Sequence, residues 1–166
     1  WMYDARKNFE SLGMEITLVD LRPYKHDNQD LYLLLKDFDV VWIGGGNTYY
    51  MRWLMKMSGF DMIIKKLLDE GIIYCGGSAG AILPCPVLDK FDIVDDQSAA
   101  PEVIRQGLSL IDFITVPHWG DQEYQRKLEE IKDHYASGTR YKVATITDSQ
   151  AIIVDGNNWA VYPKES

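Results

Sequence analysis

Two short apolar runs, each ending in glycines, set the strongest limit on what this chain can fold into. Val40-Val41-Trp42-Ile43 stops at Gly44-Gly45-Gly46, and Ile72-Ile73-Tyr74-Cys75 stops at Gly76-Gly77. Runs this short, apolar at consecutive positions, suit strands covered on both faces of a parallel sheet. Helical patterns fill the intervals. Met2, Ala5, Phe9 and Leu12 share one helical face closed by Gly13. Asn28 to Lys36 turns Leu31, Leu34 and Leu35 inward. A third helix starts at an Asn47 or Thr48 cap and runs to about Lys56. A fourth starts at Asp61, turns Ile64, Leu67 and Leu68 inward and ends at Gly71. Met14 to Val19, Phe113 to Val116 and Val143 to Ile146 read as further strands. Tyr124, Leu128, Ile131 and Tyr135 make the stripe of a helix ending near Gly138. Ala151 to Val154 and Trp159 to Tyr162 read as a hairpin turning at Asp155-Gly156-Asn157-Asn158. The expected fold is three-layer α/β: a mostly parallel sheet, helices on both faces, and a C-terminal β-hairpin.

The 166 residues suffice for one domain with a sizeable core. A formal net charge of −8 argues against nucleic acid or an anionic membrane surface as partner, since both are negative. Two cysteines, Cys75 and Cys85, are too few for a disulfide scaffold, and neither lies in a metal-ligand cluster. A reducing cytoplasm is the simplest setting. No apolar run reaches the roughly 18 to 20 residues of a membrane span.

Ligands of such sheets bind beyond the carboxyl ends of the strands. Three segments with chemical potential fall there. In Gly76-Gly77-Ser78-Ala79-Gly80, glycines flank Ser78 at −2 and +2, the G-x-S-x-G spacing of a nucleophile elbow. The Ala79 N–H, at the N-terminus of the next helix, is placed to stabilise an oxyanion. Against this stands a plain glycine turn with an incidental serine. Gly44-Gly45-Gly46-Asn47-Thr48 serves as the second half of an oxyanion hole, as a phosphate loop or simply as a turn with a helix cap. The Lys-Ser/Thr pair of a P-loop is missing, and the Rossmann spacing does not fit. His118, after Phe113-Ile114-Thr115-Val116-Pro117, stands where an uncharged imidazole can take the Ser78 proton. The other histidines, His26 in a polar loop and His134 on an exposed helix face, read as solvated. The group that orients the imidazole remains open among Asp89, Asp92, Asp95, Asp96 and Glu102, which lie between serine and histidine.

The triple glycine with Asn47-Thr48, then Gly77-Ser78-Ala79-Gly80-Ala81, then Pro117-His118 closely resembles the peptidase E (aspartyl dipeptidase) and cyanophycinase family of serine peptidases. These have a class I glutamine-amidotransferase-like fold. The resemblance runs over nearly the whole chain. It implies Ser78 as nucleophile, His118 as general base, and an oxyanion hole from the backbone of Ala79 and of Gly45 and Gly46. It places the acid roughly 15 to 18 residues after the serine, which selects Asp95, with Asp96 second and Asp92 third. It further implies substrate contacts at Asn47 and at position 123, no metal or organic cofactor, and a short peptide as substrate. Homodimerisation is left open. Family members usually carry one or two strands before the opening helix, so residues 1–166 read as a single domain lacking those strands.

One departure bears on specificity. In Gly120-Asp121-Gln122-Glu123-Tyr124-Gln125-Arg126, Glu123 stands where aspartyl dipeptidases carry the arginine that reads the substrate carboxylate. A carboxylate there repels an aspartyl side chain. The leading expectation is a serine exopeptidase acting on short peptides. The alternatives are a cyanophycinase-like isopeptidase or esterase, and a catalytically silent binding protein on the same fold.

Overall fold

The computed structural model describes residues 2–24 and 28–163. His26 and its loop therefore lie outside the described residues. Helix α1 (Met2–Ser11) is followed by α2 (Asn28–Leu35), strand β1 (Val40–Ile43), α3 (Thr48–Ser58), α4 (Phe60–Asp69) and β2 (Ile73–Gly76). A short helix α5 (Ala79–Ile82) leads to two 3-10 turns, Phe91–Ile93 and Gln97–Ala99. Strand β3 (Ile114–Val116), α6 (Gln125–Gly138), β4 (Val143–Thr145), and the pair β5 (Ala151–Asp155) and β6 (Asn158–Tyr162) complete the chain.

The architecture is mixed α/β, with parallel pairing and a C-terminal antiparallel hairpin. β1 and β2 are parallel in the register Trp42 to Cys75. β3 and β4 are parallel in the register Thr115 to Ala144. These are two separate two-stranded ladders rather than one continuous sheet. β5 and β6 close from Ala151–Tyr162 to Asp155–Asn158, so the turn is Gly156-Asn157, with Gly156 at φ +57°. Phe113 stacks on Trp159 at 4.6 Å, which seats the hairpin against the residue before β3.

Apolar spacing accounts for most of the packing. Leu31, Leu35, Ile64, Leu67, Leu128, Ile131 and Tyr135 are buried as the helical stripes require. Leu34 and Tyr124 of those stripes are exposed instead, as is Leu12 of α1. The side chain of Met2 lies outside what is described. The expected strand at 14–19 is irregular, with Met14 and Leu18 exposed. A strand exists through its ladder, and among the described residues no strand pairs with this segment. α3 is capped by Asn47, whose side chain accepts from the Tyr50 N–H. Arg52 of α3 pairs with Asp61 of α4 at 2.9 Å and donates to the Gln106 carbonyl, a largely buried link between helices and loop. Among the described residues, no helix is long and apolar enough to cross a membrane.

Candidate active site

Ser78 sits between β2 and α5 with φ 55° and ψ −119°, outside the regions that residues with side chains ordinarily occupy. Such a conformation costs on the order of 1–3 kcal/mol and persists only where the surroundings over-determine it. Here they do. The Gly77 N–H donates to the Ile43 carbonyl at 3.0 Å, which stitches the turn to β1. The Ser78 carbonyl accepts from the N–H groups of Ala81 and Ile82. The flanking glycines are needed for space. A Cβ on Gly76 would lie 2.1 Å from the Gly80 carbonyl oxygen, and one on Gly80 would lie 2.0 Å from the Ile43 carbonyl oxygen.

The short helix behind the turn also has its carbonyls accounted for. A continuing helix would give the Gly80 carbonyl the N–H of residue 84, which is Pro84 and has none. The Tyr74 hydroxyl donates to that carbonyl instead, at 2.7 Å. Burial pushes the Tyr74 phenol pKa well above its ordinary value, so the group stays a donor at any ordinary pH. The Ala81 carbonyl accepts from the Thr115 hydroxyl of β3. One residue from each flanking strand thus holds the helix that follows Ser78.

His118 follows β3 at φ 60°. Its carbonyl accepts from Asp121 N–H, and the next N–H, that of Trp119, donates to the Ile146 carbonyl at 2.9 Å. The Ile146 N–H in turn donates to the Val116 carbonyl. Parallel pairing therefore brings the carboxyl ends of β3 and β4 out side by side, and residues 147–148 emerge next to the imidazole. His118 Nε2 lies 2.9 Å from Ser78 Oγ, and Nδ1 lies 2.7 Å from Asp148 Oδ1. With an ionised carboxylate, which only accepts, and an uncharged imidazole, Nδ1 donates to Asp148 and the Nε2 lone pair faces the Ser78 hydroxyl.

The acid expected from the sequence is placed elsewhere. Asp95 Oδ2 accepts from the Thr48 N–H at 2.9 Å and so satisfies one of the orphan donors at the start of α3. Asp96 accepts from the N–H and hydroxyl of Ser98 at the start of the second 3-10 turn, and these bonds hold its carboxyl below the usual carboxylate range. Asp92 is exposed, Asp89 pairs with Arg105, and Glu102 pairs with Lys56. An acid between Ser78 and His118 would have given the chain order Ser, Asp, His. Asp148 lies beyond both, two residues after the run Val143 to Ile146, where strand ends gather ligands.

Asn47 is also committed internally. Its Oδ1 caps α3, and its Nδ2 donates to the Asp96 carbonyl at 2.8 Å, so it ties the start of α3 to the 95–99 loop. Glu123 is exposed, and its N–H donates to Asp121 Oδ1. Gly45 packs against Ser78: a Cβ there would lie 3.2 Å from Ser78 Cβ and 3.5 Å from Ser78 Oγ. Gly46, at φ +148°, faces Met51 instead. Ala79 is buried, and its N–H is among those that a helix start leaves without an intrahelical acceptor.

Ser78, His118 and Asp148 line a cleft of about 920 Å³, whose walls include Trp42, Cys75 and Phe113. Apart from the imidazole, its ionisable lining among the described residues is Tyr74, Cys75, Asp148 and Asp155, with no lysine or arginine. Among those residues no cluster of three His, Cys, Asp or Glu side chains could hold a metal ion.

A family model described as "Peptidase family S51" matches residues 1–162. Over 153 residues the chain is 26% identical to an uncharacterised peptidase of Listeria monocytogenes serovar 1/2a, spanning 92% of this chain and 73% of that protein. It is 29% identical over 154 residues to an uncharacterised peptidase of Pasteurella multocida, covering 92% and 72% of the two chains. It is 28% identical over 115 residues to a peptidase E of Nostoc, covering 69% of this chain and 44% of that one. The crystal structure of a putative peptidase E from Listeria monocytogenes superposes with a TM-score of 0.84 at 24% identity, covering 96% of this chain and 76% of that one. That likeness shows the same fold. With residues 1–162 matched, the chain belongs to peptidase family S51 and is a peptidase-type hydrolase.

Proposed function

We propose that the chain is a serine peptidase that hydrolyses short peptides through Ser78, His118 and Asp148. The observation that carries this reading is the relay of 2.9 Å from Ser78 Oγ to His118 Nε2 and 2.7 Å from His118 Nδ1 to Asp148. As Oγ attacks the scissile carbonyl, His118 Nε2 takes the hydroxyl proton, and Asp148 stabilises the imidazolium and keeps the ring oriented. The tetrahedral oxyanion forms beside the Ala79 N–H at the start of α5 and the Gly45 backbone. His118 then protonates the departing amine, leaving an acyl ester on Ser78. Water, deprotonated by the same imidazole, attacks that ester and releases the acid, and the proton returns to Oγ.

The cleft favours substrates without acidic side chains. Among the described residues no lysine or arginine lines it, Asp148 and Asp155 do, and Glu123 stands in place of the aspartate-reading arginine. Neutral dipeptides and tripeptides are the proposed substrates.

The purified protein is to be assayed on a panel of neutral, basic and aspartyl dipeptides, and labelled with a fluorophosphonate. Hydrolysis of neutral members, and labelling that disappears in Ser78→Ala, are the expected results. No hydrolysis across the panel, together with an unlabelled Ser78, overturns the reading.

A further inference from the structure

Asp148 must be aimed by something other than packing. Its side chain is 71% exposed, whereas His118, which it meets, is 40% exposed. An exposed carboxylate on a loop has several rotamers open to it, and holding one costs conformational entropy. The backbone that carries Asp148 supplies the constraint. The Gln150 N–H donates to the Thr147 carbonyl at 3.1 Å, which closes a four-residue turn with Asp148 and Ser149 at its corners. The Gln150 side chain closes the same turn a second time, because its Oε1 accepts from the Thr147 N–H at 3.0 Å. Its Nε2 reaches the Pro163 carbonyl at 3.4 Å, tying the turn to the residue after β6. Across the turn, the hydroxyls of Thr147 and Ser149 lie 3.1 Å apart.

We infer that Gln150 is a positioning residue, whose amide holds the 147–150 turn so that Asp148 stays on His118 Nδ1. The inference rests on the serine-peptidase reading for its kinetic consequence but not for its geometry. Thr147 leaves β4 with its N–H pointing into the turn. Without Oε1 that N–H turns to water, and the turn that carries Asp148 keeps only the bond from Gln150 N–H to the Thr147 carbonyl, so it is held less firmly. Misplacement of a catalytic group by about 1 Å costs on the order of 100-fold in rate.

The test uses Gln150→Met, which keeps length and lacks the acceptor, and Gln150→Glu, which keeps an Oε1 for the Thr147 N–H. Each is made in the wild-type and Asp148→Asn backgrounds. Two readouts are taken: kcat on the best peptide, and the low-field proton NMR signal of the His118 Nδ1–H in the resting protein. Gln150→Met is expected to lower kcat roughly 10- to 100-fold and to weaken or broaden that signal. Gln150→Glu recovers part of both, since it keeps the acceptor for Thr147 N–H but loses the donor to the Pro163 carbonyl. In the Asp148→Asn background Gln150→Met adds no further loss, since both changes break the same contact. A full additional loss in that background overturns the inference, as does a Gln150→Met protein with wild-type kcat and an unchanged signal. The NMR signal needs no turnover. Its loss in Gln150→Met therefore upholds the positioning role even for an inactive wild-type protein, whereas inactivity of the wild type counts against the peptidase reading alone.

Discussion

Replacing Gly80 by alanine adds one methyl group at the tightest point of the site. Its Cβ would lie 2.0 Å from the Ile43 carbonyl oxygen and 2.8 Å from the Ile43 carbonyl carbon, both backbone atoms of β1. Close carbon–oxygen contact begins at about 3.3 Å, so α5 and the end of β1 must separate by roughly 1 Å. Overpacking of this kind costs about 1–3 kcal/mol. The displacement is transmitted to Ser78, because the Ile43 carbonyl also accepts the Gly77 N–H and the Gly77 carbonyl accepts the Gly80 N–H. A 1 Å error at the proposed nucleophile costs about 100-fold in rate. Gly77→Ala is the control, since its Cβ would meet only Trp42 Cζ2, at 3.6 Å. There the reduced freedom of the unfolded chain should be neutral or stabilising by up to about 1 kcal/mol. Urea unfolding measures the stability difference, and the rate of fluorophosphonate labelling at Ser78 measures the geometry. The expected order is Gly80→Ala far below wild type in both, and Gly77→Ala level with it. A Gly80→Ala protein as stable and as quickly labelled as wild type would refute the close-approach argument.

Asp148→Asn should lower peptide hydrolysis by up to about 10⁴-fold, because the amide offers Nδ1 no carboxylate and favours the wrong tautomer. Asp95→Asn should instead leave turnover within a few-fold and cost about 1 kcal/mol, read from urea melts, through the weakened cap on Thr48. Equal kinetic losses in the two variants would contradict the placement of these acids. Burial pushes the Cys85 thiol up to about 11 and also raises the half-buried Cys75. A raised folded pKa means that the stability from neutral Cys85 is complete below roughly pH 9 and is lost as pH climbs towards 11. The urea midpoint should therefore fall over that window in wild type and fall less in Cys85→Ala. Parallel curves would show that Cys85 contributes nothing to alkaline loss.

Much of the fold was legible because its signals are local. Val40–Ile43 and Ile73–Gly76 are consecutive apolar residues ended by glycines, and the structure makes them paired parallel strands. The Leu31, Ile64, Leu67 and Ile131 positions follow helical spacing and are buried. The 14–19 segment shares the composition of a strand but lacks a partner ladder among the described residues, and composition does not encode a partner.

The sequence by itself determined the turn at Ser78. The small residues needed at −2 and +2, the strand before and the helix after are neighbours in the chain, so steric necessity is written at fixed spacing. Tertiary structure alone decided which acid faces His118. Asp95 is nearer in sequence to Ser78, yet the helix-start N–H of Thr48 claims it. Asp148 lies 30 residues beyond His118 and reaches it because β3 and β4 run parallel and end together. That adjacency is a product of strand register between distant segments, and no local spacing records it.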